Sequence, residues 1–266
     1  MHRTDPIAVI DSGIGGYTVA VELQRLLPAE RIAYYCDSAN MPYGGRPAAE
    51  ILRLTRQILA RVAESPVKAL VVACNTISAL IDEYRNDLPC EIISIIETGA
   101  AAILDLDAST VGLIGTTFTV KSGAWTREIA RRRPDVTVVA TPCPHIAKLV
   151  EAGRTAPSEV DPYIRGAIGS IQSRAKVKHL ILACTHYPLV SGRIRALFPD
   201  LQLIDPGRLQ AETVRARLAA LDLLAPDGSD GTITINTSGD TVAAREAAER
   251  FGLVRIADVR SCTFGD

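Results

Sequence analysis

An α/β fold built on mainly parallel sheets is predicted by two features of the chain. Short apolar runs alternate with longer segments of helical spacing, and the runs are apolar throughout, as strands covered on both faces must be. A third feature divides the fold. Ala69-Leu-Val-Val-Ala-Cys74-Asn75-Thr76 and His179-Leu-Ile-Leu-Ala-Cys184-Thr185-His186 share one plan: an apolar run, then Ala-Cys, then polar residues. Two such segments inside two similar β/α series point to a duplicated half, hence two pseudo-symmetric, doubly wound domains.

The series opens with Ile7 to Ile10 as a buried strand, followed by a helix from Tyr17 to Leu27 with Val19, Leu23 and Leu26 at helical spacing. Arg31 to Tyr35 reads as a second strand, and Ala48 to Ala63 as a helix with Ile51, Leu54, Ile58 and Val62 on one face. A strand at 69–73, a helix at 77–84 and a strand at 92–96 complete the first half. Val111 to Ile114, ending in Gly115-Thr116, restarts the pattern. A helix near 122–132, a strand at 136–140, a helix at 158–174 and a strand at 179–183 follow. Beyond residue 207 come a helix (209–221), the polar loop Asp227-Gly-Ser-Asp-Gly231, a strand (232–236), a turn (237–240) and a helix (241–251). This tail is too short for a domain of its own and is expected to pack on the first half. The expected division is 1–97 plus 208–266 for one domain and 98–207 for the other.

Composition excludes several classes. With 266 residues, 47% hydrophobic and 22% charged, the chain is neither disordered, collagen-like nor disulfide-stapled. Lys plus Arg number 29 against 30 Asp plus Glu, so no overall field draws it to nucleic acid or anionic lipid. The apolar run at Ile7 to Ile10 is too short for a signal peptide and ends at an aspartate, and no run approaches a membrane span. The six cysteines form no CxxC pair, so free thiols in a reducing cytoplasm are expected.

Ligands of open parallel sheets bind beyond the carboxyl ends of the strands. Four such ends carry polar residues: Asp11-Ser12, Cys74-Asn75-Thr76, Gly115-Thr116 and Cys184-Thr185-His186. Asp11-Ser-Gly-Ile-Gly-Gly16 fits the first two glycines of a dinucleotide loop, but Thr18 holds the third position and a carboxylate opens the loop. The segment also reads as a tight turn needing glycine, or as a loop whose amides and Ser12 hydroxyl hold a small carboxylate. No Gly-Lys-Ser/Thr occurs, which excludes a P-loop.

A buried cysteine is usually a small hydrophobe. The shared context of Cys74 and Cys184 argues otherwise, because helix amides beyond a strand end favour a thiolate. His186 stands two residues beyond Cys184, and Asp11 could meet Cys74 at the neighbouring strand end. Redox chemistry wants two thiols close in sequence, a metal site wants more ligands than four scattered histidines offer, and a Cys–His hydrolase leaves one thiol unexplained. Inverting a stereocentre does need two groups of similar kind, a base on one face of the carbon and an acid on the other.

The ordered set Asp11 to Gly16, Asp37 to Gly44, Ala73 to Thr76, Lys121-Ser-Gly-Ala124, Leu149-Val-Glu151, Ala183 to Pro188 and Thr237 to Asp240 resembles the cofactor-independent glutamate racemases, of the aspartate/glutamate racemase superfamily. The resemblance implies that Cys74 and Cys184 are the two acid/bases, that Asp11 assists Cys74, and that His186 and Glu151 assist Cys184. It implies that Asp11, Ser12, Pro42, Tyr43, Gly44, Asn75, Thr76, Thr116, Thr119 and Thr185 bind the amino acid. It also implies a site in the cleft between the domains, no pyridoxal phosphate or metal, a cytoplasmic homodimer, and D-glutamate made for peptidoglycan. Departures from the family pattern are Thr117-Phe118 in the loop after Gly115-Thr116, Ile95-Ile-Glu97-Thr98-Gly99, and Asp205-Pro206-Gly207, the last two near the expected crossings between domains. Phe118 and Tyr43 are expected as water-excluding walls. Aspartate or another small acid is an alternative substrate within the superfamily. A different class of reading is a binding protein, since some such racemases are thought to inhibit DNA gyrase; that role would survive loss of both thiols, and the charge balance gives no support for direct DNA contact.

Overall fold

A run with no polar face becomes a strand with both sides covered, and all five residues of Ile7–Asp11 and of His179–Ala183 are buried. The protein is described here by a computed structural model over residues 1–265; Asp266, the end of the range expected for the first domain, lies outside the described residues. In chain order the elements are β1 (Ile7–Asp11), α1 (Tyr17–Leu26), β2 (Ile32–Cys36), α2 (Ala48–Val62), β3 (Ala69–Val72), α3 (Asn75–Ser78), β4 (Glu91–Ser94) and α4 (Ile95–Ala101). Then come β5 (Thr110–Gly115), α5 (Thr117–Ser122), α6 (Ala124–Arg132), β6 (Thr137–Pro142), α7 (Pro144–Glu151), α8 (Pro157–Gln172), β7 (His179–Ala183), α9 (Ser191–Leu197) and β8 (Gln202–Ile204). The last are α10 (Pro206–Ala220), β9 (Ile233–Thr237), α11 (Thr241–Arg250) and β10 (Ile256–Ser261).

The strands form two sheets, one of six strands in the order β10-β9-β2-β1-β3-β4 and one of four in the order β6-β5-β7-β8. Every pairing is parallel. Register is fixed at the centre of each: Ile7 lies beside Ile32 and Ala69, and Leu113 beside Ala140 and Ile181. Alternate residues of a strand face opposite ways. Ala8 and Ile10 therefore pack with Ile51, Leu54 and Ile58 of α2, while Ile7 and Val9 turn to the other side. On that side one continuous core joins the two sheets, holding Val9, Tyr34 and Ile235 together with Leu113, Ile181 and Trp125. The outer face of the smaller sheet is covered by α7 and α8, with Ile164 and Ile168 among Ile114, Leu180 and Leu182.

Several boundaries differ from the sequence expectation. The strand expected at 92–96 stops at Ser94, whose hydroxyl accepts the N–H groups of Ile96 and Glu97 and starts α4. The helix expected at 77–84 is instead α3 and a separate 3₁₀ turn at Ile81–Glu83, with Tyr84 donating to the Ile77 carbonyl. The helix expected near 122–132 begins at Ala124, because Gly123 turns left-handed (φ +66°) and separates it from α5. Elements α4, α5, α7, α9, β8 and β10 lie outside the sequence expectation. Among them α7 starts at Pro144, a residue suited to the first turn of a helix.

Below the amino ends of the strands lies a buried ion pair between Lys68 and Glu30, 0% and 2% exposed. Lys68 Nζ also donates to the carbonyls of Arg3 (2.7 Å) and Leu223 (2.9 Å), and Glu30 Oε1 accepts the Ala225 N–H at 2.8 Å. The pair thereby ties the start of the chain, the start of β3 and the loop after α10 together. The loop passes so close that a Cβ on Gly231 would lie 2.2 Å from the Pro28 carbonyl oxygen. Breaking such a pair leaves an uncompensated buried charge, at about 3–5 kcal/mol. Lys68→Met is therefore expected to lower the thermal midpoint by about 10 °C, a change calorimetry reads directly.

Candidate active site

A parallel sheet opens a crevice where its strand order reverses. In the larger sheet that point lies between β1 and β3, and in the smaller one between β5 and β7. Asp11-Ser12 and Cys74 stand at the first crevice, Thr116 and Cys184 at the second. The two crevices share one narrow cavity of about 30 Å³, room for a couple of water molecules. Ser12, Pro42, Tyr43, Gly44, Cys74, Asn75, Thr76, Thr116, Glu151, Cys184, Thr185 and His186 all line it.

The two thiols, both buried, meet different neighbours. Cys74 Sγ lies 3.6 Å from the Ser12 hydroxyl. Cys184 Sγ lies 3.7 Å from His186 Nδ1, and His186 Nε2 lies 3.1 Å from Glu151 Oε1, an ion-pair distance without hydrogen-bond alignment. Asp11 is fully buried behind the cavity, where Oδ1 accepts the Gly13 N–H (2.9 Å) and Oδ2 accepts the Thr185 hydroxyl (3.3 Å). Among the described residues Asp11 makes no hydrogen bond to Cys74. It ties the β1 loop to the β7 loop, as does Thr18, whose hydroxyl donates to the Thr185 carbonyl at 3.1 Å.

A family model described as Asp/Glu/Hydantoin racemase matches residues 16–214. The chain belongs to this family. It is an isomerase of the amino-acid racemase class. A glutamate racemase of Thermus thermophilus is 39% identical over 252 residues, 93% of this chain and 92% of that one. The crystal structure of the Thermus thermophilus glutamate racemase with β-chloro-D-alanine superposes with a TM-score of 0.87 at 37% identity, covering 99% and 98% of the two chains. That of Francisella tularensis with D-glutamate gives 0.92 at 28% identity, covering 98% of each.

Within this racemase fold the site's electrostatics are uneven. Burial pushes the Cys74 thiol up to about 12, reinforced by the Asp11 carboxylate and opposed by the Ile77 N–H and Ser12. Burial likewise lifts Asp11 to about 6, against the pull of His186 and the hydrogen bonds from Gly13 and Thr185. For His186, burial acts downward, but Cys184 and Glu151 outweigh it and raise the imidazole to about 10. At neutral pH the arrangement offers a protonated thiol at one crevice and an imidazolium beside the other sulfur. Among the described residues no three His, Cys, Asp or Glu side chains are grouped to hold a metal ion.

Two of the sequence candidates stand outside the cavity. Asp11 lies behind it, and Thr119 sits under Thr116, their hydroxyls 2.9 Å apart. Phe118 does not line it either; it packs on the core cluster to which Cys74 belongs, and its N–H donates to the Gly44 carbonyl at 2.9 Å. Tyr43 does line it, held by a 2.6 Å hydrogen bond to Asp37. Ala147 completes the lining and was not singled out in the sequence, where the helix-opening Pro144 was its only signal. Cys36, Cys90, Cys143 and Cys262 are buried free thiols away from the cavity.

This geometry is open to two measurements. His186 has its folded-state pKa raised, so its contribution to stability is complete below about 6.5 and is lost as pH rises through about 10. In ¹⁵N-labelled protein the ring should read as imidazolium at pH 8, and Glu151→Gln should lower its titration midpoint. Separately, a Cβ on Gly15 would lie 2.4 Å from Thr185 Oγ1 and 2.5 Å from the His186 ring. Gly15→Ala should thus displace these groups and cut turnover about a hundredfold while the circular dichroism spectrum stays native.

Proposed function

We propose that the chain interconverts L- and D-glutamate by a two-base mechanism without a cofactor, Cys74 and Cys184 exchanging protons with opposite faces of the substrate Cα. The observation that carries this reading is that two Ala-Cys strand ends, one at the reversal point of each sheet, line one cavity. Relatives of 35–40% identity over most of the chain are glutamate racemases, which supports glutamate as the substrate.

The α-proton of an amino acid is far less acidic than a thiol, so thiolate basicity alone does not drive its removal. The site must also stabilise the carbanion and exclude water. Hydroxyls of Ser12, Thr76, Thr116 and Thr185, with the Asn75 amide, are the groups for the substrate's carboxylates and ammonium, Thr119 acting through Thr116. Pro42, Tyr43 and Gly44 close the wall opposite. In one direction the Cys184 sulfur takes the proton and the Cys74 thiol returns one to the other face; in the reverse direction the roles exchange. Asp11 and His186, with Glu151 behind it, set the charge around the two sulfurs.

This reading includes two domains, 1–97 plus 208–266 and 98–207, that part to admit substrate. It further makes the protein a cytoplasmic homodimer supplying D-glutamate for peptidoglycan, as the family resemblance implies; among the described residues no helix is long and apolar enough to cross a membrane.

Incubation with L-glutamate in D2O tests the mechanism. With separate bases, the D-glutamate first formed carries deuterium at Cα, while recovered L-glutamate still carries hydrogen. Cys74→Ser and Cys184→Ser should each cut racemisation by about 10²–10⁴-fold. Ordinary turnover by either single variant would defeat the two-base assignment.

A further inference from the structure

We propose that Trp125 is a positioning residue: its indole N–H fixes the Asn75 side chain so that the amide nitrogen, not the oxygen, is offered to a substrate carboxylate. This role rests on the reading that the cavity binds an amino acid.

Asn75 and Trp125 are each 2% exposed. The indole Nε1–H donates to Asn75 Oδ1 at 3.0 Å. An indole nitrogen only donates, so it selects the oxygen end of the amide whichever way the group would otherwise turn. The Nδ2 end is then left to other partners, and among the described residues it is buried without a hydrogen bond. An unpaired buried N–H group is costly, and proteins keep few of them. Asn75 directly follows Cys74 and lines the cavity, where a carboxylate oxygen can accept that bond.

Trp125 is itself held firmly. It is the second residue of α6, just past the left-handed Gly123. Its ring is wedged where a Cβ on Gly99 would lie 2.4 Å from the ring edge and 2.7 Å from Pro206 Cβ. Gly99 belongs to α4 and Pro206 opens α10, the two segments by which the chain passes between the sheets. The hydrogen bond also crosses from one sheet's loops to the other's, since Asn75 follows β3 and Trp125 lies between β5 and β6. Without the indole donor the amide turns freely, and its oxygen then faces a carboxylate it repels.

Trp125 is the only tryptophan, so replacing all tryptophan by 3-benzothienylalanine exchanges one N–H for sulfur and keeps the ring shape. The expected result is a KM for glutamate raised about tenfold, with kcat within about threefold and a native circular dichroism spectrum. A role confined to filling space would leave KM unmoved, and that result overturns the proposal. A second measurement does not depend on folding of the sulfur variant. With ¹⁵N-labelled tryptophan the substrate-free protein gives one indole resonance, and Asn75→Ala should move its proton upfield; no movement also overturns the proposal. A natural protein that fails to turn over glutamate overturns the functional reading along with it. Normal turnover by the natural protein, with an unchanged KM in the sulfur variant, overturns the Trp125 role alone.

Discussion

The reversal of strand order in each parallel sheet is the constraint from which the site follows. Connections on either side of β1 and of β5 leave in opposite directions, so a crevice opens beyond those strands whatever residues fill it. On the proposed two-base reading, the groups for the two faces of one carbon come one from each crevice, set opposite each other. The shared core between the sheets, running from Val9 and Tyr34 to Leu113 and Ile181, sets that opposition. Close approach of the loops then demands missing side chains: a Cβ on Gly15 would strike Thr185 and His186, and one on Gly44 would lie 2.6 Å from Thr116. These glycines are needed for what packs directly against them rather than for positive φ.

The matching strand orders β2-β1-β3-β4 and β6-β5-β7-β8 are not carried into the chemistry. Around Cys74 stand a hydroxyl and backbone N–H groups, with a carboxylate close enough to disfavour the thiolate. Around Cys184 stand an imidazole and a carboxylate in series. Burial strengthens every one of these interactions, because little water screens them. It is also why a chain with no net field of consequence can hold strong local fields at one point.

What was legible in the sequence depended on whether a local pattern carried the information. Ile7 to Ile10 and His179 to Ala183 could be read as strands because burial on both faces leaves no other plan for so short a run. Ile95 and Ile96 misled, since an apolar run does not say whether it continues a strand or begins a helix; the Ser94 hydroxyl decided it. Half-exposed β10 and the three-residue β8 carried too few apolar positions to be seen. Cys74 and Cys184 stood out because the repeat drew attention to them. The bond from Thr185 to Asp11 did not, nor did the contact of Trp125 with Asn75, because both depend on how two sheets face each other and leave no spacing along the chain.

The bond from the Phe118 N–H to the Gly44 carbonyl and the 3.1 Å contact of the Thr76 and Thr116 hydroxyls join the two sheets beside the cavity. Contacts that bridge the two sheets resist their parting. Where inversion outpaces that parting, a captured molecule is turned over repeatedly before release, and the mixture let go records the equilibrium on the protein rather than the enantiomer that arrived. Under that condition the persistence of the bridging contacts sets how much memory of the incoming handedness each visit retains.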